Sequence, residues 1–147
     1  MKIKKVIIHA ADTPADMDIG TAEIRRWHVD GNGWSDIGYH YVIRRDGVTE
    51  TGRDLDKDGD IEEEIGAHVY GHNRGTLGVC MVGGMPGCNF TSAQWSALDF
   101  LIRDILERNG LGVGDVYGHR DFDNGKTCPT FDAAAWASTL KLDRHIE

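Results

Sequence analysis

Long apolar runs are absent from this sequence. The start, MKIKKVIIHAADTP, has a basic head, but its apolar stretch from Val6 to Ile8 is far shorter than the roughly 7 to 15 residues of an export leader's core. The expectation is a chain with no export signal and no membrane span, cytoplasmic on synthesis.

Positive charge is also scarce. Lys and Arg number 16 against 24 Asp and Glu, a net charge of -8 with His neutral. Bulk electrostatic binding to nucleic acid or another polyanion needs a basic face, so that class of partner is excluded and any anionic substrate must be gripped by local contacts. No basic patch or amphipathic docking stripe points to a protein partner, and a monomer is expected.

Cysteine appears three times, at Cys80, Cys88 and Cys128. An odd count excludes a complete disulfide framework and leaves at least one thiol free or bound to something. Cys80 sits in the apolar run LGVCMVGG and is read as a small buried hydrophobe. Cys88, near a glycine turn, is read as a free thiol, with a bridge to Cys80 disfavoured. Low-complexity tracts, linkers and internal repeats are missing too, and 40% hydrophobic with 27% charged residues is the balance of an ordinary globular chain. Residues 1–147 are therefore expected to form one domain.

Local patterns are plain. IKKVIIH, 3–9, reads as a strand whose continuous apolar half suits a position buried on both faces, with His9 at its C-terminal end. TAEIRRWHVDG predicts a helix over about 21–30, with Thr21 as N-cap, Gly31 as stop and Trp27 in the core. Around Arg45-Asp46-Gly47, strands at 39–45 and 48–52 form a hairpin, since Asp-Gly is a strong turn signal. TLGVCMV predicts a buried strand at 76–82.

TSAQWSALDFLIRDILERNG offers Thr91 and Gln94 as a capping box, apolar positions at Trp95, Leu98, Ile102, Ile105 and Leu106, and Gly110 as terminator. DVYGH, 115–119, reads as a last strand, and Asp132 as N-cap of a final helix. Strands and helices interleave as β-α-β-β-β-α-β-α, so the predicted fold class is α/β, with a central mixed sheet of about five strands flanked by about three helices. His9 and His119 both fall at strand ends, where α/β folds gather their sites.

A catalytic zinc site uses three protein ligands drawn from imidazole, thiolate and carboxylate, leaving one position open. His9, His119 and Cys128 would suit, although spacing alone fixes none of them; two strand-end histidines satisfied by backbone bonds and a cysteine before a proline is the plain alternative. Lys126 and Tyr39, taken singly, read equally well as a solvated loop lysine and a half-buried strand tyrosine. Strand alternation separates Tyr39 from His40, which is left out of the site. His28, His72 and His145 read as surface or helix-packing residues.

The segments HAADTP, GYHYVIRRDG, GRD, GAHVYGHN, LGVCMVGG, TSAQ and GHRDF...KTCPTFD, in this order, resemble the zinc-dependent N-acetylmuramoyl-L-alanine amidases of type 2. The likeness runs from Val6 to Trp136 and is nearest to the short phage lysozymes, endolysins made of the catalytic domain alone; peptidoglycan recognition proteins are more distantly similar. The resemblance implies that His9, His119 and Cys128 hold one catalytic zinc, that Tyr39 and Lys126 stand beside the water the metal activates, and that His68 and Asn73 line the substrate groove. The implied partner is peptidoglycan or muropeptides, and the implied reaction is hydrolysis of the amide between N-acetylmuramic acid and L-alanine. For an endolysin the wall would be reached after release by a separate membrane protein. Two other readings stay open: a peptidoglycan-binding module without turnover, and a thiol hydrolase with Cys128 as nucleophile and His119 as base.

One stretch departs from that pattern. DLDKDGDIEEEI, 54–65, is long and acidic, and Asp54, Asp56, Asp58 and Gly59 match places one, three, five and six of a calcium loop, but the twelfth place is Ile65 instead of a bidentate glutamate. It is read as a solvated acidic loop, with weak calcium binding at Asp54, Asp56 and Asp58 as the secondary expectation.

Overall fold

The computed structural model describes residues 2–85 and 89–142; Cys88 and His145 lie outside the described residues. Strand β1 (Lys5–Ala10) is central, as its unbroken apolar run requires: Val6, Ile7 and Ile8 are wholly buried. It is flanked by β4 (Thr76–Met81) and β5 (Val116–Gly118), both parallel to it. Beyond β4 lies β2 (Tyr41–Ile43), again parallel, and β3 (Thr49–Thr51) closes the edge antiparallel to β2. The result is a five-stranded mixed sheet in the order β3-β2-β4-β1-β5.

Helices cover both faces. On one, α2 (Ser92–Arg108) lays Leu98, Leu101, Ile102, Ile105 and Leu106 against Val6, Ile8, Ile43, Val79 and Met81, joined by the short α3 (Ala133–Ala137). Each such side chain, fully buried, contributes about 1.5–3 kcal/mol. On the other face, Ile24 of α1 (Thr21–Arg26) meets Ile37, Val42, Cys80 and Val82. Cys80 is a buried free thiol there.

The punctuation read from the sequence is present where it is local. Gly47, at φ +86°, turns the β2–β3 hairpin. Thr91 Oγ1 accepts from the Gln94 N–H at 3.0 Å while Gln94 Oε1 accepts from the Thr91 N–H at 3.0 Å, a complete capping box. Asp132 caps α3 by accepting from Ala135 N–H.

Three expectations are corrected. The hairpin strands are shorter than 39–45 and 48–52, so Tyr39 and His40 precede β2, although Arg53 N–H still donates to Tyr39 O at 2.9 Å. The N-cap of α1 is Gly20, not Thr21, because the Thr21 N–H and hydroxyl both donate to Glu50 on β3. Trp27 is 44% exposed instead of core. After Arg26 the helix widens into a π turn over Trp27–Gly31, and the inward place goes to His28, whose Nδ1 accepts from Gly38 N–H at 2.9 Å. Trp95, by contrast, packs on the core as expected.

Candidate active site

Sheet register brings the first two site residues together. Ile8 pairs with Gly118, so the residues that follow them, His9 on β1 and His119 just past β5, emerge side by side at the C-terminal edge, their ring centroids 4.7 Å apart. His9 pairs with Cys80 and so points to the α1 face of the sheet. His119 begins a tight turn, His119–Asp121, held by Asp121 accepting from Gly118 N–H at 2.8 Å.

The third residue arrives from the loop beyond that turn. Arg120 N–H donates to Cys128 O at 2.8 Å, folding the loop back, and Ala10 N–H donates to Cys128 Sγ at 3.1 Å. One donor atom each from His9, His119 and Cys128 then lie within 4.8 Å of one another. Two nitrogens and a sulfur so placed could hold a metal ion, and each is a donor type that zinc accepts.

The surroundings keep the imidazoles neutral. Burial, then the neighbouring histidines, hold His9 well below the ordinary imidazole range. Burial and then the Lys126 cation lower His119. Neutral rings have lone pairs to give, which is the form a metal takes. Burial pushes the Cys128 thiol up to about 11, against the smaller lowering effects of the Ala10 N–H and Lys126.

Tyr39 stands over this group, its ring 5.0 Å from that of His9 and 5.5 Å from that of His28. Burial, then Cys80 and Cys128, raise its phenol well above the usual range, so it is a proton donor throughout the physiological window. A cavity of about 300 Å³ is lined by Tyr39, His119, Lys126 and Cys128 with Ala10 and Gly84. A second, of about 510 Å³, shares His119 and Lys126 and runs out past Trp34, Tyr70, Asn73 and Phe122.

His68 and Asn73 line that second cavity, but both ring nitrogens of His68 and the side-chain oxygen of Asn73 are committed to the protein. Asn73 Oδ1 accepts from the N–H groups of His68 and Val69, both at 2.9 Å. His68 has one ring nitrogen 2.9 Å from His9 Nε2 and the other 3.2 Å from Thr76 Oγ1. His40 is buried behind His68, fixed between Glu64 O and Gly78 N–H. Sequence reasoning did not find the aromatic walls Trp34, Tyr70 and Phe122, nor the role of His28 in propping Tyr39. The lone signal for them was exposed aromatic residues in loops, the fully exposed Tyr70 above all.

The acidic loop is a separate cluster. Asp54, Asp56 and Asp58 lie close enough to share a cation, as do Asp56, Glu63 and Glu64. Most of its visible bonds are to its own backbone: Gly59 N–H to Asp54, Asp60 N–H to Asp58, Leu55 N–H to Glu64.

Comparison with known proteins gives the family. Residues 1–131 match the family model described as N-acetylmuramoyl-L-alanine amidase. The endolysin of Enterobacteria phage K11 is 41% identical over 140 residues, 92% of this chain and 85% of the relative. That of Klebsiella phage KP32 is 41% identical over 137 residues, 90% of this chain and 83% of the relative. Among solved structures, the N-acetylmuramoyl-L-alanine amidase LysC from Clostridium intestinale URNW superposes with a TM-score of 0.78 at 23% identity, over 96% of this chain and 88% of that one, a likeness of fold. The chain belongs to the N-acetylmuramoyl-L-alanine amidase family.

Proposed function

We propose that this amidase cleaves the bond between the lactyl carbonyl of N-acetylmuramic acid and the L-alanine of the stem peptide, lysing cell wall as an endolysin does. The observation that carries the reading is the cluster of His9, His119 and Cys128, two of which, His119 and Cys128, line one cavity together with Tyr39 and Lys126.

His9, His119 and Cys128 would hold one zinc ion. A zinc ion there supplies Lewis acidity, polarising an amide carbonyl and lowering the pKa of water toward ~7. The protein's own residues do the rest. Ala10 N–H donates to the Cys128 sulfur and stabilises its anionic form. Tyr39, protonated and fixed against His9, donates a hydrogen bond to the carbonyl oxygen. Lys126 faces that oxygen as it gains charge, where one such donor is worth about 10²–10³ in rate. The groove past Trp34, Tyr70 and Phe122 receives the muramyl-peptide chain, its aromatic faces suiting sugar rings and its edge shaped by His68 and Asn73. The enzyme works as a monomer on peptidoglycan or soluble muropeptides.

The thiol-hydrolase reading is disfavoured by the Cys128 thiol itself. A cysteine nucleophile needs a depressed pKa, and burial raises this one to about 11. A binding module without turnover would not need Tyr39 and Lys126 beside a complete donor set. The acidic loop is read as solvated, with weak calcium binding at Asp54, Asp56 and Asp58 as the lesser alternative.

The test is mass spectrometry of digested sacculi together with zinc analysis of the same protein. Free stem peptides with L-alanine at a newly freed N-terminus, with activity lost to a chelator and restored by zinc, are expected. Intact muropeptides, or activity indifferent to chelation but abolished by thiol alkylation, would refute the proposal.

A further inference from the structure

We propose that Thr76 and His68 are positioning residues: they form a hydrogen-bond relay into His9 that fixes its tautomer and leaves its Nδ1 bare for a metal.

The direction of the relay is set at its far end. Thr76 Oγ1 lies 2.7 Å from His72 O and 3.1 Å from Asn73 O. Carbonyl oxygens have no proton to give, so the single hydroxyl proton of Thr76 goes to one of them. In its 3.2 Å contact with His68 Nε2 the threonine oxygen must therefore accept. That places the one proton of a neutral His68 on Nε2 and leaves Nδ1 as a lone pair. His68 Nδ1 in turn accepts from His9 Nε2 at 2.9 Å, so His9 carries its proton on Nε2. The remaining nitrogen of His9, Nδ1, is the free donor.

Burial enforces each step. Thr76, His68 and His9 are all buried, so the protein supplies the partners that water would otherwise offer. The His68 ring sits in a slot between two glycines. A Cβ on Gly78 would stand 2.6 Å from His68 Cγ, and one on Gly66 would stand 2.7 Å from its Cδ2. His40 does not compete for His9, because both of its nitrogens are taken by Glu64 O and Gly78 N–H. Partners of this kind raise metal affinity by fixing ring orientation and protonation, and losing one costs about 10–100-fold.

The consequence for metal rests on the zinc reading above; the tautomer does not. In the metal-free protein, long-range ¹H–¹⁵N correlation spectra should show His9 and His68 both protonated on Nε2. Zinc affinity, from competition with a chromophoric chelator, should fall about 10–100-fold in Thr76→Val and His68→Phe. Thr76→Ser keeps the hydroxyl, and His68→Asn keeps an acceptor where Nδ1 stood, so both should bind within a few-fold of the parent. A His9 protonated on Nδ1, or a Thr76→Val variant with unchanged zinc affinity, would overturn the relay. Were His68→Phe not to fold, the parent spectrum and Thr76→Val decide the matter alone. A parent protein that binds no zinc but shows the stated tautomers would refute the zinc reading and leave the relay standing.

Discussion

The backbone N–H of Ala10 donates to the sulfur of Cys128 at 3.1 Å, joining residues 118 positions apart in the chain. This contact ties the end of the central strand to the C-terminal loop, and it places the thiol beside His9 and His119. Cys128→Ser keeps an acceptor for that N–H but, on the zinc reading proposed above, replaces a strong ligand by a poor one. The variant should fold, lose zinc on dialysis and lose lytic activity together, as metal analysis and the clearing of a sacculus suspension would record.

Lys126 and Tyr39 should separate catalysis from metal binding. Lys126→Met is expected to lower kcat by about 10²–10³, and Tyr39→Phe by about 10² or more. Both should retain zinc at the parent's stoichiometry. A proportional loss of zinc in either would move that residue from chemistry to metal retention.

Gln94 predicts a stability effect remote from the chemistry. Its amide nitrogen donates to Val82 O at 2.7 Å and to Ile43 O at 3.3 Å, while its oxygen accepts from Thr91 N–H and the Arg45 guanidinium. Gln94→Ala strands the buried Val82 and Ile43 carbonyls at about 1–3 kcal/mol each where no water replaces the partner. At about 2–4 °C per kcal/mol for a chain of this size, a clear drop in Tm is expected. Activity per folded molecule should be unchanged.

The acidic loop predicts a pH dependence. Glu63 shares a hydrogen bond with Asp58, and with burial and the Asp58 and Asp56 charges this pushes its carboxyl up to about 7. The folded state thus holds an extra proton between about pH 4.5 and 7, and the stability it contributes is full below that window and lost as pH rises through it. Glu63→Gln should flatten the fall of Tm across that range and raise Tm at pH 8. Calcium at millimolar concentration is expected to leave the parent's Tm unchanged; an upward shift would assign a cation to the loop instead.

Legibility followed the range of the interaction. The Asp46-Gly47 turn, the Thr91–Gln94 box and the periodic face of α2 are patterns within a few residues of each other, and all were readable. Trp27 was misread because helical spacing does not say that a π turn will rotate the stripe and give the inward place to His28. His68 was expected as a contact to substrate through its place in GAH. Its ring lines the second cavity and also reaches His9 and Thr76, because Gly78, ten residues later on β4, leaves the space.

The sequence by itself determined the residue chemistry: two imidazoles at strand ends, one thiol, a lysine two residues before it, and the alternation that builds a mixed sheet. Tertiary structure alone decided their geometry. Strand order and register set His9 beside His119, the returning loop brought Cys128 to Ala10, and the His68–Thr76 bonds selected which nitrogen of His9 is free. The physical reason is that hydrophobic periodicity and turn chemistry act over one or two turns of chain. Proton positions and ligand distances depend on contacts between segments that meet only when the core closes.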